Sequence, residues 1–172
     1  PDFVPEQVLQ ALARFSGWSP DGILVGNGSN ELISAAVAVT LGPGKTVAIP
    51  QPTFALYELM AKAAGATIQS VPLKAADFSF DVDALLEAAR TSDVVIVCSP
   101  NSPTGSLLAR SDARRLLSEA RGLVVIDEAY HEFSGQTLFP LLKEFDNLML
   151  LRTLSKAWAL AGIRFGYMMT SE

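Results

Sequence analysis

Charge is scarce in this chain. Asp, Glu, Lys and Arg make up only 18% of its 172 residues, against about a quarter in an ordinary globular domain. Large surfaces must therefore be buried, including a face suited to another domain or subunit. Basic residues are outnumbered, with 13 Lys and Arg against 18 Asp and Glu and a net charge of −5. Without a basic stripe, the electrostatic footprint of a nucleic-acid binder is excluded. No apolar run approaches the ~20 residues that span a bilayer. The opening Pro1-Asp2-Phe3-Val4-Pro5-Glu6 has neither the basic start nor the apolar block of a secretory signal. A single cysteine, Cys98, excludes an internal disulfide framework and fits a reducing, cytoplasmic setting. It ends the apolar run Val94-Val95-Ile96-Val97 and reads as a small core residue. The single histidine, His131, has no base or nucleophile beside it. No Cys/His cluster offers a metal site, so no metal is expected.

What the chain has is apolar residues, 49% of the total, enough for one domain with a sizeable core. Apolar spacing predicts helices over residues 5–15, 31–41, 54–64, 81–90 and 111–121, with Asp81 and Ser111 as caps. Amphipathic spacing recurs over 138–145. Short aliphatic, β-branched runs predict strands at 23–25, 46–50, 67–73, 94–98, 123–126, 148–151 and 165–170. Strands that alternate with helices, and that are apolar throughout, belong to a parallel sheet covered on both faces. The expected fold is α/β, a three-layer αβα arrangement around a mostly parallel sheet. In such sheets ligands bind beyond the carboxyl ends of the strands. Asn27 to Asn30, Asn101, Asp127, Tyr130, Ser155 and Lys156 all fall just after strands.

These positions carry recognisable chemistry. Lys156 follows the run 148–151 in a stretch with few other charges. Desolvation among apolar neighbours favours its free amine, the form that condenses with an aldehyde. Arg164 offers a forked cation suited to phosphate, and Ser155 a hydroxyl. Gly26-Asn27-Gly28-Ser29-Asn30 opens a helix, where backbone N–H groups and the helix dipole attract an anion. Glu31 stands where a dinucleotide loop has its third glycine. Aldehyde and phosphate together are the two handles of pyridoxal 5'-phosphate. Asp127 at the mouth of an apolar strand needs a partner, and a pyridinium nitrogen would serve. Asn101 and Tyr130 could donate to a phenolate oxygen, and Phe54 could stack on a flat ring. Taken singly, each has an ordinary explanation: a snorkelling lysine, a cap or salt bridge, a turn asparagine, a core aromatic. Glu128 points away from Asp127 if the strand continues.

The ordered set Leu24-Val25-Gly26-Asn27-Gly28-Ser29-Asn30-Glu31, Pro52-Thr53-Phe54 with Tyr57, Pro100-Asn101-Ser102-Pro103-Thr104-Gly105, Asp127-Glu128-Ala129-Tyr130 with Phe133, and Thr153-Leu154-Ser155-Lys156 through Gly162-Ile163-Arg164-Phe165-Gly166-Tyr167 spreads over nearly the whole chain. It resembles the fold-type I pyridoxal phosphate enzymes, and within them the histidinol-phosphate aminotransferase family. The resemblance implies that Lys156 carries the cofactor as an internal aldimine and moves the substrate's α-proton. Asp127 would pair with the pyridine nitrogen, and Asn101 and Tyr130 would contact the phenolic oxygen. Phe54 and Ala129 would flank the ring, while Gly28, Ser29, Asn30, Ser155 and Arg164 hold the phosphate. It implies amino transfer from histidinol phosphate or an amino acid to a 2-oxo acid, within histidine biosynthesis, by a homodimer with small-molecule substrates.

Members of that family are much longer. The resemblance makes residues 1–172 the cofactor-binding large domain, without the family's N-terminal arm and C-terminal small domain, so weak cofactor binding, poor amino transfer and self-association are expected of this chain. A decarboxylase of the same fold, of the threonine-phosphate type, is the enzymatic alternative. A truncated, non-catalytic cofactor-binding or assembly domain is the other, and a nucleotide-binding Rossmann domain accounts for less of the pattern.

Overall fold

The computed structural model describes residues 5–171, so Pro1 to Val4, part of the stretch on which the signal-peptide reading rests, lie outside the described residues. The chain runs α1 (Glu6–Ser16), β1 (Ile23–Asn27), α2 (Ser29–Thr40), β2 (Thr46–Gln51), α3 (Leu56–Ala63), β3 (Thr67–Pro72), α4 (Val82–Thr91), β4 (Val94–Cys98), α5 (Arg110–Glu119), β5 (Leu123–Asp127), α6 (His131–Ser134), β6 (Leu148–Thr153) and β7 (Phe165–Met169). The amphipathic 138–145 segment is a 3-10 turn, Phe139–Lys143, with Pro140 in its first turn.

Local chemistry explains most boundaries. Gly17 ends α1 in the left-handed conformation, which glycine adopts without a Cβ clash. Asp81 caps α4, its side chain accepting from the Ala84 N–H at 3.2 Å. Ser111 does not cap α5: the helix already begins at Arg110, and Ala109 at its N-cap makes no side-chain bond. Helix α2 begins two residues earlier than its apolar spacing suggests, because Gly28 supplies the turn and Ser29 is already helical. Helix α3 begins two residues later than expected, at Leu56, which leaves Phe54 in the loop ahead of it.

The strands form one seven-stranded sheet in the order β1-β7-β6-β5-β4-β2-β3. Strand β7 pairs antiparallel with both β6 and β1, and the remaining pairs are parallel. Only β7 thus runs against the others, and its first residue lies at the edge where β1, β2, β4, β5 and β6 end. Side chains alternate across the sheet as the pleat requires. Val95, Val97, Val124, Ile126, Leu148 and Leu150 pack with Leu12 of α1 and the buried faces of α4 and α5. Val94, Ile96, Cys98, Val125 and Leu151 pack on the other side with Leu32, Ile33 and Val37 of α2 and Tyr57 and Ala61 of α3. The result is the expected three-layer α/β arrangement.

The same alternation sends two consecutive carboxylates to opposite faces. Asp127 ends β5 on the α2/α3 side. Glu128, only 1% exposed, turns to the other side and meets Arg152 of β6, whose Nε and Nη2 donate to Oε2 at 3.1 and 3.0 Å. The Leu138 N–H and the Thr137 hydroxyl also donate to Glu128, and Phe139 lies under the guanidinium, 5.5 Å from it. A buried ion pair broken on one side leaves an uncompensated charge, which costs about 3–5 kcal/mol. Arg152→Met is therefore expected to lower unfolding free energy by about that amount, read by urea unfolding. The double variant Glu128→Gln/Arg152→Met is expected to recover much of the loss.

Candidate active site

At the carboxyl edge of the sheet a cleft of about 550 Å³, counting its open mouth, is lined by Ser29, Asn30, Phe54, Tyr57, Cys98, Ser102, Asp127, Ala129, Tyr130, Thr153, Ser155, Lys156 and Arg164. Each strand end delivers a piece of it. Strand β1 and the start of α2 bring Ser29 and Asn30, β5 brings Asp127 and Ala129, and β6 leads to Thr153, Ser155 and Lys156. Arg164 immediately precedes β7, which starts at this edge because it runs the other way.

Asp127 lies at the bottom. It is 4% exposed. Its Oδ2 accepts from the Tyr57 hydroxyl at 2.7 Å and its Oδ1 from the Ala129 N–H at 3.0 Å. Both donors are neutral. Burial pushes the carboxyl above its ordinary range; the Tyr57 and Ala129 hydrogen bonds and the Lys156 charge oppose that, while the Glu128 charge adds to it. The phenol of Tyr57 is itself pushed up by burial and by the Asp127 charge, so it stays a donor. Cys98, directly across from Asp127 in the β4–β5 register, has its thiol pushed up to about 12, chiefly by burial. It is core, as its sequence setting suggests, and also cleft floor.

One end of the cleft is built for an anion. The first N–H groups of α2 lack intrahelical acceptors. Gly28, the N-cap, has φ 80°, and a Cβ there would come within 2.5 Å of Arg164 Nη2. A Cβ on Gly166 would come within 2.3 Å of the Ser29 nitrogen, so two glycines let β7 and Arg164 close on the helix start. Glu31 is turned back, accepting from the Asn27 N–H at 2.6 Å, which fixes the turn and takes its charge away from the α2 N–H groups.

Lys156 does not sit among apolar neighbours, as its sequence setting predicts. It is exposed, as are its neighbours Trp158, Leu160 and Ile163, because the chain leaves the sheet at Thr153 and crosses the surface before β7. Its Nζ stands over the Tyr130 ring, 5.1 Å from the centroid. Phe54 is 37% exposed and packs edge-on to Tyr57.

Two of the residues anticipated from sequence are not on the cleft wall. Gly28 lies behind it as the cap. Asn101 is 3% exposed, and its amide is committed elsewhere: Nδ2 donates to Pro52 O and Thr104 Oγ1 at 2.9 and 2.8 Å, and Oδ1 accepts from Thr53 Oγ1 at 2.6 Å. It ties the 51–54 loop to the 99–105 loop, and the next residue, Ser102, lies on the wall. Tyr57, Cys98, Ser102 and Thr153 were not anticipated as wall residues. Thr153 and Cys98 share the parity of apolar residues facing α2 and α3, and Tyr57 lies one helical turn beyond Phe54, but only the strand register brings them together. Among the described residues no group of three or more His, Cys, Asp or Glu gathers in a metal-binding arrangement.

The aminotransferase class I and II family model matches residues 1–172. The chain belongs to that family. A histidinol-phosphate aminotransferase of Chlorobium phaeovibrioides is 46% identical over 170 residues, which is 97% of this chain and 47% of that protein. Among solved structures, histidinol-phosphate aminotransferase from Sinorhizobium meliloti in complex with pyridoxal-5'-phosphate superposes with a TM-score of 0.87 at 29% identity, over 96% of this chain and 46% of that one. The Clostridium acetobutylicum histidinol-phosphate aminotransferase gives 0.88 at 27%, over 97% and 51%. This chain spans about half the length of the curated relatives it matches.

The Asp127 environment makes a prediction for the ligand-free chain. Its folded-state pKa lies above the unfolded value, so its contribution is intact below the unfolded pKa and is lost as pH rises through the folded pKa. Asp127→Asn, which keeps the carboxamide oxygen as an acceptor, should match the parent in acid and exceed it in stability above that window. Urea midpoints across pH check this; a constant difference at all pH values would contradict it.

Proposed function

We propose that this chain is the cofactor-binding large domain of a pyridoxal phosphate-dependent aminotransferase acting on histidinol phosphate and a 2-oxo acid, in histidine biosynthesis. The observation that carries the reading is Asp127, a buried carboxylate met only by neutral donors, in one cleft with an amine and a cationic anion site. A positively charged ring nitrogen fits the carboxylate, and a phosphate fits Arg164 with the N-terminus of α2. The class of the named relatives supports amino transfer over decarboxylation.

Bound there, pyridoxal phosphate supplies an aldehyde for amines and a ring that takes up electron density from the substrate's α-carbon. The protein's residues do the rest. Lys156 would hold the cofactor through its amine, and the same amine would move the proton at the substrate's α-carbon. Asp127 would keep the ring nitrogen protonated by charge pairing. Tyr130, beside Lys156, and Asn101, next to Ser102 of the wall, would contact the phenolic oxygen. Phe54 and Ala129, both on the cleft wall, would flank the ring. Ser29, Asn30, Ser155 and Arg164 would hold the phosphate, with Gly28 making room for the arginine. The working form is a homodimer, a reading supported by the exposed apolar Leu160 and Ile163 and by exposed Trp158, which packs on exposed Phe15. The lone buried thiol supports a cytoplasmic setting.

Incubation with pyridoxal phosphate, borohydride reduction and peptide mass mapping is expected to place the label on Lys156, and Lys156→Ala is expected to take up none. Label scattered over surface lysines would overturn the reading. Where the unaltered protein transfers amino groups, Lys156→Ala should slow turnover by about 10²–10⁴-fold. Arg164→Ala removes charge-assisted bonds and is expected to weaken cofactor binding about 10–100-fold, with the ring's environment retained. Titration of the visible absorbance measures that loss.

A further inference from the structure

We infer that Tyr57 is a positioning residue of this site: its hydroxyl, donated to Asp127 Oδ2 from α3, holds the carboxylate in the orientation that presents it to the cleft. The inference deepens the cofactor reading and rests on it for the identity of the group that Asp127 meets. The geometry is specific. Tyr57 is fully buried, its O–H lies 2.7 Å from Oδ2, and the Ala129 N–H takes the other oxygen. Two fixed donors determine both the tilt and the rotation of the carboxylate.

A tyrosine differs from other possible donors in a way that matters here. An arginine or lysine in its place would neutralise Asp127 and compete with any cationic ligand for it. A phenol stabilises the ionised carboxylate against its burial and leaves the negative charge uncancelled. The groups facing Asp127 fit this division. Tyr57 comes from α3 and Cys98 from β4, and both are pushed toward their neutral forms. Glu128, next in the chain, has its own cation in Arg152. Lys156, beyond β6, lies at the cleft mouth. The Phe54 ring packs edge-on against Tyr57, 5.5 Å between centroids, so the same side chain that orients the carboxylate also braces an aromatic wall.

The test is a carboxyl-carbon NMR titration of isotope-labelled aspartate in the ligand-free chain, comparing the parent with Tyr57→Phe. The Asp127 midpoint is expected to move up in the variant. In the parent, the labelled phenol carbon of Tyr57 is expected to step at the same pH as Asp127, a readout that needs no substitution. Tyr57→Phe should also weaken pyridoxal phosphate binding about tenfold, and this loss should largely disappear when measured in an Asp127→Asn background. An unmoved midpoint, a Tyr57 resonance blind to Asp127, or a loss of equal size in both backgrounds would overturn the inference. Failure of the parent chain to take up pyridoxal phosphate on Lys156 would instead overturn the cofactor reading, with the ligand-free titration still deciding the Tyr57–Asp127 link.

Discussion

A carboxylate taken out of water must be met by donors or by a cation, and two adjacent ones stand at the end of the central strand β5. Pleat geometry sends them to opposite faces, and the two faces treat them differently. Glu128 receives a buried arginine, a hydroxyl and a backbone N–H, a closed network that joins the ends of β5 and β6 to the 3-10 turn at Phe139–Lys143. Asp127 receives a phenol and a backbone N–H and no cation in hydrogen-bond contact. One face is complete within the protein; the other is electrostatically open. The closed pair also braces the strand ends that carry Asp127 and lead to Lys156, so the structural network lies directly behind the candidate site.

The sheet turns separate stretches of chain into one cleft. Parallel strands place their carboxyl ends along one edge, and loops leaving that edge bring polar groups without burying their backbones. The reversal of β7 adds the last component. A parallel β7 would put its first residue, and Arg164 before it, at the far edge. Running antiparallel between β6 and β1, it starts beside α2, where two glycines clear the space for Arg164 to approach the helix N-terminus. An anion site thus arises from a strand direction and two missing side chains rather than from a cluster of basic residues.

Much of this was legible in the residues. Continuous aliphatic runs between helical patterns specified a covered sheet, because only strands buried on both faces lack the polar alternation of a half-exposed sheet. Motif order gave the family and most of the cleft wall. The errors fell where chemistry depends on distant neighbours. Lys156 looked desolvated from its flanking apolar residues, yet those residues are exposed on the same surface loop. Ser111 looked like a cap, yet α5 starts before it.

By itself, then, the sequence determined layer order, the helix ends held by Gly17 and Asp81, the fall of the functional residues after strands, and the opposed directions of Asp127 and Glu128. All of these follow from short-range periodicity and backbone preference. Tertiary structure alone decided the partner of Asp127, the direction of β7, the exposure of Lys156, and the bonds by which the Asn101 amide joins two loops. Those outcomes depend on which strands become neighbours and in what register. Pairings such as Cys98 with Asp127, or Tyr57 with a carboxylate 70 residues away, leave no trace in local spacing.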